Sequence, residues 1–243
     1  MPAFGDLLRR ELGRDPGRPL LTWYDDGTGE RVELSVATYA NWVAKAASLL
    51  VEEHDLERGD VVLVDLPSHW LGPVFLGAAW TAGLAVAFPS SEVAANAVVC
   101  GPASLTTWAP RADDLPVLAC SLLPMGVRFA DPLPPGVHDV GVEVWGQPDA
   151  FTPYDPPDGS DAALVDGPVT QDELFGSQVA AGSSQNSTGG DRLLLTANPA
   201  SPPGVAAVSR PLVSGGSLVL VAGADPARLD AIAEAERVTL RLG

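Results

Sequence analysis

The most informative part of the sequence is residues 56–88, LERGDVVLVDLPSHWLGPVFLGAAWTAGLAVAF, its longest patterned apolar segment. Residues 61–66 form a β-branched and aliphatic run that is typical of a strand covered on both faces, as in a parallel sheet. Ser68 then stands at the position of a helix N-cap, and a helix of about four turns follows. Gly83 ends this helix, and residues 84–88 form the next strand. The segment therefore predicts a βαβ unit and an α/β fold with a mostly parallel sheet.

Residues 70–88 also allow a competing interpretation as a membrane span. They carry no charged residue over a length close to that of a transmembrane helix. However, Gly72, Pro73 and Gly77 interrupt the stretch, and no excess of cations on one side would orient it in a bilayer. A buried helix followed by a buried strand explains the pattern better, so we expect no membrane span.

The rest of the chain alternates helical and strand patterns, which supports the α/β assignment. Residues 20–24 and 31–34 predict a hairpin across an Asp-Asp-Gly-Thr-Gly turn. The other predicted helices are residues 4–12, 36–53, 170–180 and 226–235 and a proline-broken helix ending at 213, and the other predicted strands are residues 97–100, 117–122, 162–165, 192–196, 217–221 and 238–240.

Residues 131–161 differ from the rest in being rich in proline and glycine. Such a composition favours irregular backbone, so we predict a seam or long loop inside a single domain of residues 1–243. Asp155, Asp158 and Asp161 lie in this segment. They lack the spacing and the closing glutamate of an EF-hand, and we expect a hydrated acidic loop there rather than a calcium site.

The charge of the chain narrows the classes of partner. Lys and Arg total 14 against 31 Asp and Glu, which gives a net charge of −17. Such a surface repels phosphate backbones, so we expect neither nucleic acid nor an anionic membrane as a partner. Lys45, the single lysine, falls off the apolar stripe of its helix and is expected on the solvated surface.

Few residues of the sequence indicate chemistry. Cys100 and Cys120 are too few and too far apart in sequence to predict a disulfide framework or a zinc site. The N-terminus has no secretory signal, so we expect a cytoplasmic protein. His54 and His138 are expected to be exposed bystanders. His69 follows a strand at the edge where open α/β sheets bind ligands, but adjacent helical side chains point apart, so pairing it with the neighbouring serine is sterically doubtful. We therefore predict no catalytic, cofactor-binding or metal-binding residue.

Three stretches together resemble the N-terminal domain of the adenylate-forming superfamily, which comprises acyl- and aryl-CoA synthetases and related AMP-binding ligases. LTWYDDGTGERVELSVATYANWVAKAASLL resembles the opening hairpin and helix of that domain. Residues 56–88 resemble its glycine-aspartate turn followed by strand, helix and strand. Near the end, DRLLLTANPASPPGVAAVSRPLVSGGSLVLV with DPARLDAIAEAERVT is similar to the segment after the family's phosphate loop. The resemblance implies the fold of that N-terminal domain.

The sequence departs from this family where the family binds ATP. The family's phosphate loop is rich in Ser, Thr and Gly and ends in Pro-Lys-Gly, whereas here only Asp166, Gly167 and Pro168 separate the corresponding strand and helix segments. Ser201 and Pro202 stand where the family often has a histidine lining the acyl pocket. The sequence also ends before the family's substrate-side Thr-Glu motif, its ribose-binding aspartate and its small C-terminal domain with the catalytic lysine, so we expect these parts to be missing.

These departures lead to a first hypothesis and two alternatives. The first is a non-catalytic protein with a binding or regulatory role toward a protein partner or a small acyl or adenylate ligand, without a cofactor. The second is a reduced AMP-dependent acyl ligase that uses ATP with a partner subunit and holds phosphate through Ser183, Ser184 and Thr188 in the linker GSSQNSTGG. The third is an obligate subunit that pairs through the strand edge near Leu240.

Overall fold

The computed structural model describes residues 3–182 and 190–242. The helices are Phe4–Arg14 (α1), Val36–Ser48 (α2), Leu71–Ala82 (α3), Leu105–Trp108 (α4), Val140–Glu143 (α5), Gln171–Gly182 (α6), Pro202–Ser214 (α7) and Pro226–Ala235 (α8). The strands are Pro19–Asp25 (β1), Glu30–Ser35 (β2), Val61–Asp65 (β3), Ala85–Ala87 (β4), Ala97–Cys100 (β5), Val117–Ala119 (β6), Val137–Asp139 (β7), Ala162–Leu164 (β8), Val169–Thr170 (β9), Arg192–Leu195 (β10), Ser217–Ala222 (β11) and Leu240–Leu242 (β12). A π-helical turn, Leu49–Glu53, extends α2, and 3-10 turns occupy Ala109–Arg111, Pro124–Gly126 and Val144–Gly146.

The described strands form two sheets. The five-stranded sheet has the order β12-β10-β11-β1-β2, and the seven-stranded sheet has the order β7-β6-β5-β3-β4-β8-β9. Within the described residues, the paired strands run parallel except in the two hairpins, β1–β2 and β8–β9. The predicted α/β fold with mostly parallel sheets is therefore confirmed.

The central βαβ unit forms as the apolar pattern predicts. Strands β3 and β4 pair in parallel, with Val62 opposite Val86, and α3 connects them. Almost every residue of α3 is buried, which explains its uncharged and nearly uniform apolar sequence. Gly83 ends the helix in the left-handed conformation, with φ of 78°, as a glycine at this position readily does. Burial of α3 inside the protein accounts for its apolar sequence without a membrane. No described helix combines the length and apolarity that crossing a bilayer requires.

The helices α1, α2, α3, α6 and α7 contact one another between the two sheets. The largest cluster of buried side chains takes residues from both sheets and from these helices, so they share one apolar core. Smaller clusters lie on the outer faces, under α8 on the five-stranded sheet and under α4 on the seven-stranded sheet. Gly77 lets α3 approach its neighbours, because a Cβ there would lie 2.6 Å from Tyr39 Oη and 2.9 Å from Phe4 Cζ.

The proline-rich segment of residues 131–161 is more ordered than its composition predicts. It contains β7 and α5, and β7 pairs in parallel with β6, with Leu118 opposite His138. The segment thus contributes a strand to the seven-stranded sheet, and it is irregular before β7 and beyond the turn at Val144–Gly146. The assignment of residues 1–243 to a single domain stays a prediction.

Candidate functional site

The loop of residues 66–70 lies where the two sheets approach each other at the carboxyl ends of their strands. Trp23 on β1 donates a hydrogen bond from its indole Nε1 to the Ser68 carbonyl oxygen, at 3.0 Å. Asn198, which follows β10, donates from Nδ2 to the Leu66 carbonyl oxygen at 2.8 Å. Both bonds start on the five-stranded sheet and end on the loop that follows β3. We call this loop, residues 66–70, the junction loop.

The N-cap of the helix that follows the junction loop is Trp70 and not Ser68, and its side chain makes no capping bond. Residues 68–70 form a bend and a turn, so α3 begins at Leu71, later than the sequence predicts. The Leu71 N–H donates to His69 Nδ1 at 3.2 Å. The imidazole is buried and packs edge-on against the Trp23 ring, with centroids 4.4 Å apart. Burial lowers the pKa of His69 to about 4, against a smaller opposing effect of Asp25, so the ring is neutral near pH 7.

The junction loop carries three buried polar atoms that have no hydrogen-bond partner among the described residues. They are Ser68 Oγ, His69 Nε2 and Trp70 Nε1. Because His69 Nδ1 accepts the Leu71 N–H, Nε2 holds the proton of the neutral ring and has no lone pair left to take another. In this tautomer His69 presents no free lone pair to Ser68, and the absence of catalytic residues stays a prediction. The loop offers hydrogen-bond donors instead.

The connection between β8 and β9 is short. These strands form an antiparallel hairpin in which Leu164 pairs with Val169. Only residues 165–168 lie between the two strands, with Gly167 in the left-handed conformation at φ of 62°. A four-residue turn offers few backbone amides and no lysine to a phosphate. We call residues 162–170 the β8–β9 hairpin.

At the start of α6, directly after this hairpin, backbone N–H groups are already paired with nearby side chains. Glu173 N–H donates to Thr170 Oγ1 at 3.2 Å, and Thr170 N–H donates to a Glu173 carboxylate oxygen at 2.8 Å. This reciprocal pair is a capping box. The hydrogen bonds from Thr170 lower the pKa of Glu173, which keeps the carboxylate charged. A negative charge therefore already occupies the helix end that would otherwise favour a phosphate.

Asp155, Asp158 and Asp161 lie in or beside an irregular acidic loop, in which the side chains of Asp155 and Asp158 are 70% and 67% exposed. Their carboxylates gather around one guanidinium, that of Arg58. Asp161 makes two charge-assisted hydrogen bonds of 2.8 Å with it, and Asp155 and Asp158 lie 3.1 and 3.4 Å away. The sequence does not predict this contact with Arg58. Its strongest part is the pair with Asp161, because a planar guanidinium binds a carboxylate through two parallel bonds.

Lys45 is also placed differently from the expectation. Its side chain is only 17% exposed, and its Nζ lies 3.0 Å from a carboxylate oxygen of Asp149 and donates to the Gln147 carbonyl oxygen. The apolar stripe of α2 does place Lys45 off the core, but residues 147–149 cover that face of the helix. The single lysine of the sequence is therefore committed to a structural contact.

His54 and His138 are neighbours rather than separate bystanders. Their rings lie 4.3 Å apart between centroids, and both contact the carboxylate of Glu143. Among residues 3–182 and 190–242, these three side chains are the group whose ligand atoms are close enough to hold a metal ion. No signal in the sequence joins the two histidines, because β7 and α2 meet only through the fold.

The two cysteines remain free thiols. Both are buried, on or directly after neighbouring strands of the seven-stranded sheet. Burial raises the pKa of Cys100 to about 12 and that of Cys120 well above its usual value. Neither thiol is therefore a nucleophile near pH 7.

Comparison with known proteins places the chain in a family. No family model matches it. A curated protein of Mycobacterium tuberculosis, described as a TIGR03089 family protein, is 34% identical to it over 249 residues, covering 97% of this chain and 96% of that protein. The chain belongs to the TIGR03089 family. The match covers nearly the whole of this TIGR03089 member and of its relative.

Solved structures identify the fold of this TIGR03089 member. The acyl-CoA synthetase of Brucella canis superposes with a TM-score of 0.81 at 20% identity, over 99% of this chain and 47% of that one. The N-terminal domain of FACL13 from Mycobacterium tuberculosis gives 0.73 at 18% identity, over 99% and 62%. A long-chain-fatty-acid CoA ligase of Rhodopseudomonas palustris, described as putative, gives 0.76 at 18% identity, over 98% and 62%.

The fold is therefore that of acyl-CoA synthetase N-terminal domains, as the resemblance of the sequence implies. The TIGR03089 member spans between 47% and 62% of these solved chains. The likeness at these identities concerns the fold alone. Ser183, Ser184 and Thr188, the phosphate ligands of the alternative hypothesis, lie outside the described residues.

Proposed function

We propose that this protein binds a ligand or a partner on the scaffold of an adenylate-forming enzyme and does not itself activate carboxylic acids. One observation carries the proposal. At the position of the family's phosphate loop, four residues connect β8 to β9, and a capping box with Glu173 closes the helix that follows. Neither a cradle of amides nor a cation is available there to bind the phosphates or to stabilise charge as pyrophosphate leaves.

The charges around the hairpin support the same conclusion. Arg58 contacts Asp161, the residue directly before the hairpin, but three carboxylates surround its guanidinium. Lys45 is paired with Asp149. A site of net negative charge repels ATP unless a cation offsets it. No bound cofactor is therefore part of the proposal.

The proposed binding site is the junction loop. Its buried Ser68 hydroxyl, His69 Nε2–H and Trp70 Nε1–H have no described protein partner, and leaving such groups unpaired costs free energy that a ligand's polar atoms would recover. A small acyl or adenylate compound offers carbonyl and phosphate oxygens that accept these bonds. A protein partner is the other occupant the proposal allows. The two free cysteines support a cytoplasmic location.

Exchange of pyrophosphate into ATP tests the loss of adenylation. We expect no exchange above background with a panel of short, long and aromatic carboxylic acids, whereas an active acyl-CoA synthetase assayed in parallel gives a signal. Exchange with any of these acids would overturn the proposal. Because the assay measures the adenylation half-reaction alone, it does not require CoA.

A thermal-shift titration tests the binding role separately. Magnesium-ATP, AMP, CoA and a non-hydrolysable acyl-adenylate are added one at a time. A ligand at 100 times its Kd raises the melting temperature of a domain of this size by about 5–10 °C. We expect no shift with magnesium-ATP. A shift with the acyl-adenylate would indicate a small ligand as the occupant, and no shift with any of the four compounds would indicate a protein partner. A shift with the adenylate that disappears in Trp70→Phe assigns the site to the junction loop.

A second candidate function is a reduced acyl ligase that acts with a partner subunit. The observation in its favour is a groove of about 420 Å³ between α7 and β12, lined by apolar side chains together with Arg210 and Arg241. Two arginines beside an apolar floor suit a partner that brings an acidic group. Under this candidate, changing Ser183, Ser184 and Thr188 to alanine abolishes nucleotide binding. Under the first proposal, these changes alter nothing.

A further inference from the structure

Three metal-competent side chains converge on one point at the end of α2. His54 follows the π-helical turn Leu49–Glu53, His138 lies in β7, and Glu143 ends α5. One ligand atom from each lies within 4.8 Å of the other two. We infer that His54, His138 and Glu143 form a binding site for a divalent transition metal ion of the zinc class. This site is separate from the junction loop and does not depend on the proposed function.

The distances fit a metal site with little rearrangement. His54 Nε2 lies 3.2 Å from Glu143 Oε2, and His138 Nδ1 lies 3.0 Å from Glu143 Oε1. Zinc binds imidazole nitrogen and carboxylate oxygen at about 2.0–2.2 Å, so the ligand atoms of a tetrahedral site lie about 3.4 Å apart. The two distances from an imidazole nitrogen to the carboxylate are thus close to this spacing, and one ligand atom from each of the three side chains lies within 4.8 Å of the others.

The donor set selects the class of metal. Two imidazoles and one carboxylate suit zinc and its neighbours in the first transition row, whereas magnesium and calcium require a shell of oxygen atoms. Glu143 supplies one negative charge against the two of the ion, and the acidic surface of the protein supplies more. Three protein ligands leave the fourth position for water.

Burial gives the site one closed side and one open side. The His54 side chain is only 4% exposed, whereas His138 and Glu143 are exposed at 39% and 25%. An ion can therefore enter from the solvent side while His54 forms the floor. In the metal-free state the carboxylate instead accepts hydrogen bonds from both rings. Metal binding moves each ring proton to the other nitrogen of the same imidazole.

The ion would join two parts of the chain that are distant in sequence. His54 ends the helical segment that begins with α2, and His138 and Glu143 belong to the proline-rich segment of residues 131–161. The pairs Lys45–Asp149 and Arg58–Asp161 connect the same two regions on either side of His54. A bound metal thus adds a third connection between them, and it stabilises the segment that the sequence predicts as a seam.

Zinc binding to the purified full chain tests the inference. The protein is dialysed against EDTA and then titrated with zinc chloride in a large excess of Mg²⁺, which occupies non-specific acidic sites. We expect one equivalent to bind, with a rise in melting temperature of about 5–10 °C at 100 times the Kd. His138→Gln and Glu143→Gln should each weaken binding by at least about 10–100-fold, the loss seen when even a supporting partner is removed.

Asp155→Asn is the matched control, because it removes a surface carboxylate of the same segment without touching the three ligands. It should bind zinc as the wild type does. Visible absorption of Co²⁺ in place of zinc gives an independent readout, since a tetrahedral site with imidazole ligands produces a spectrum that weak surface binding does not. Absence of zinc binding by the wild type, or unchanged binding by both Gln variants, would overturn the inference.

Discussion

The junction loop and the β8–β9 hairpin leave the same carboxyl edge of the seven-stranded sheet, yet they treat their polar groups in opposite ways. In the junction loop, Ser68, His69 and Trp70 bury polar atoms that no described residue satisfies. In the segment after the hairpin, Thr170 and Glu173 bond reciprocally. A finished hydrogen-bond network rigidifies a structure, whereas unpaired buried groups lower its stability and favour a ligand that pairs them. The contrast separates a candidate binding loop from a hairpin and helix start whose polar groups are already paired.

The largest predicted loss of stability comes from Gln171, the first residue of the helix that follows the β8–β9 hairpin. It is fully buried, its Oε1 accepts the Phe4 N–H at 2.8 Å, and its Nε2 donates to the Trp80 carbonyl oxygen at 3.0 Å. Gln171→Leu leaves the Phe4 N–H unpaired inside the core, at a cost of about 1–3 kcal/mol, and removes one of the two bonds of the Trp80 carbonyl oxygen, which keeps the Gly83 N–H. We expect a loss of roughly 3–4 kcal/mol in the free energy of unfolding, measured by urea denaturation. A loss below about 1 kcal/mol would show that water or a neighbour satisfies these groups.

His69 gives the next largest effect, and it appears as a pH dependence. Its folded-state pKa of about 4 lies below the ordinary histidine value, so between pH 6.5 and 4 the unfolded chain binds a proton that the folded protein does not. Stability is therefore lost as the pH falls through this window, at about 1.4 kcal/mol per pH unit and by about 3 kcal/mol in all.

The variant His69→Asn isolates this contribution. The asparagine oxygen can still accept the Leu71 N–H, but the side chain does not titrate. Urea denaturation at pH 7, 6 and 5 should show a steeper loss of stability for the wild type than for the variant, while all other titrating groups contribute equally to both. Equal slopes would mean that solvent reaches the imidazole of the folded protein.

Much of the fold follows from local sequence signals. The β3-α3-β4 unit, the left-handed Gly83 and the N-caps Ser35 and Asp225 each depend on residues close in the chain, and the structure has all of them. The shift of the N-cap from Ser68 to Trp70 is local too, but it depends on the hydrogen bonds that hold the junction loop against the other sheet. The sequence does not show these bonds.

The side-chain contacts outside the core could not be predicted, for a physical reason. His54 and His138 meet only when β7 joins the sheet beside β6. Arg58 precedes β3 and Asp161 precedes β8, and these two residues meet because both strands pair with β4. The cations of residues 45–58 and the acids of residues 143–161 are visible in the sequence, but their charge complementarity is consistent with many pairings. Only the fold selects one.

A smaller loss of stability is predicted for a change at Thr170, the last residue of the β8–β9 hairpin. Thr170→Val keeps the shape of the side chain and removes the hydroxyl that accepts the Glu173 N–H. Loss of an N-cap costs about 1 kcal/mol, and we expect a decrease of that size in the free energy of unfolding. Thr106→Val, on the exposed surface of α4, is the matched control and should change stability by less than about 0.5 kcal/mol. Equal effects of the two changes would argue against a working cap.

Ser68 gives the smallest effect and the only one of opposite sign. Its buried hydroxyl has no described partner, so Ser68→Ala removes a polar group that burial penalises and opens a space of only one oxygen atom. We expect the free energy of unfolding to rise by a few tenths of a kcal/mol to about 1 kcal/mol. Any ligand found by thermal shift at the junction loop should bind this variant more weakly. A fall in stability as large as that of Thr170→Val would mean that Ser68 is already paired in the folded protein, and the distinction between the two loops would then fail.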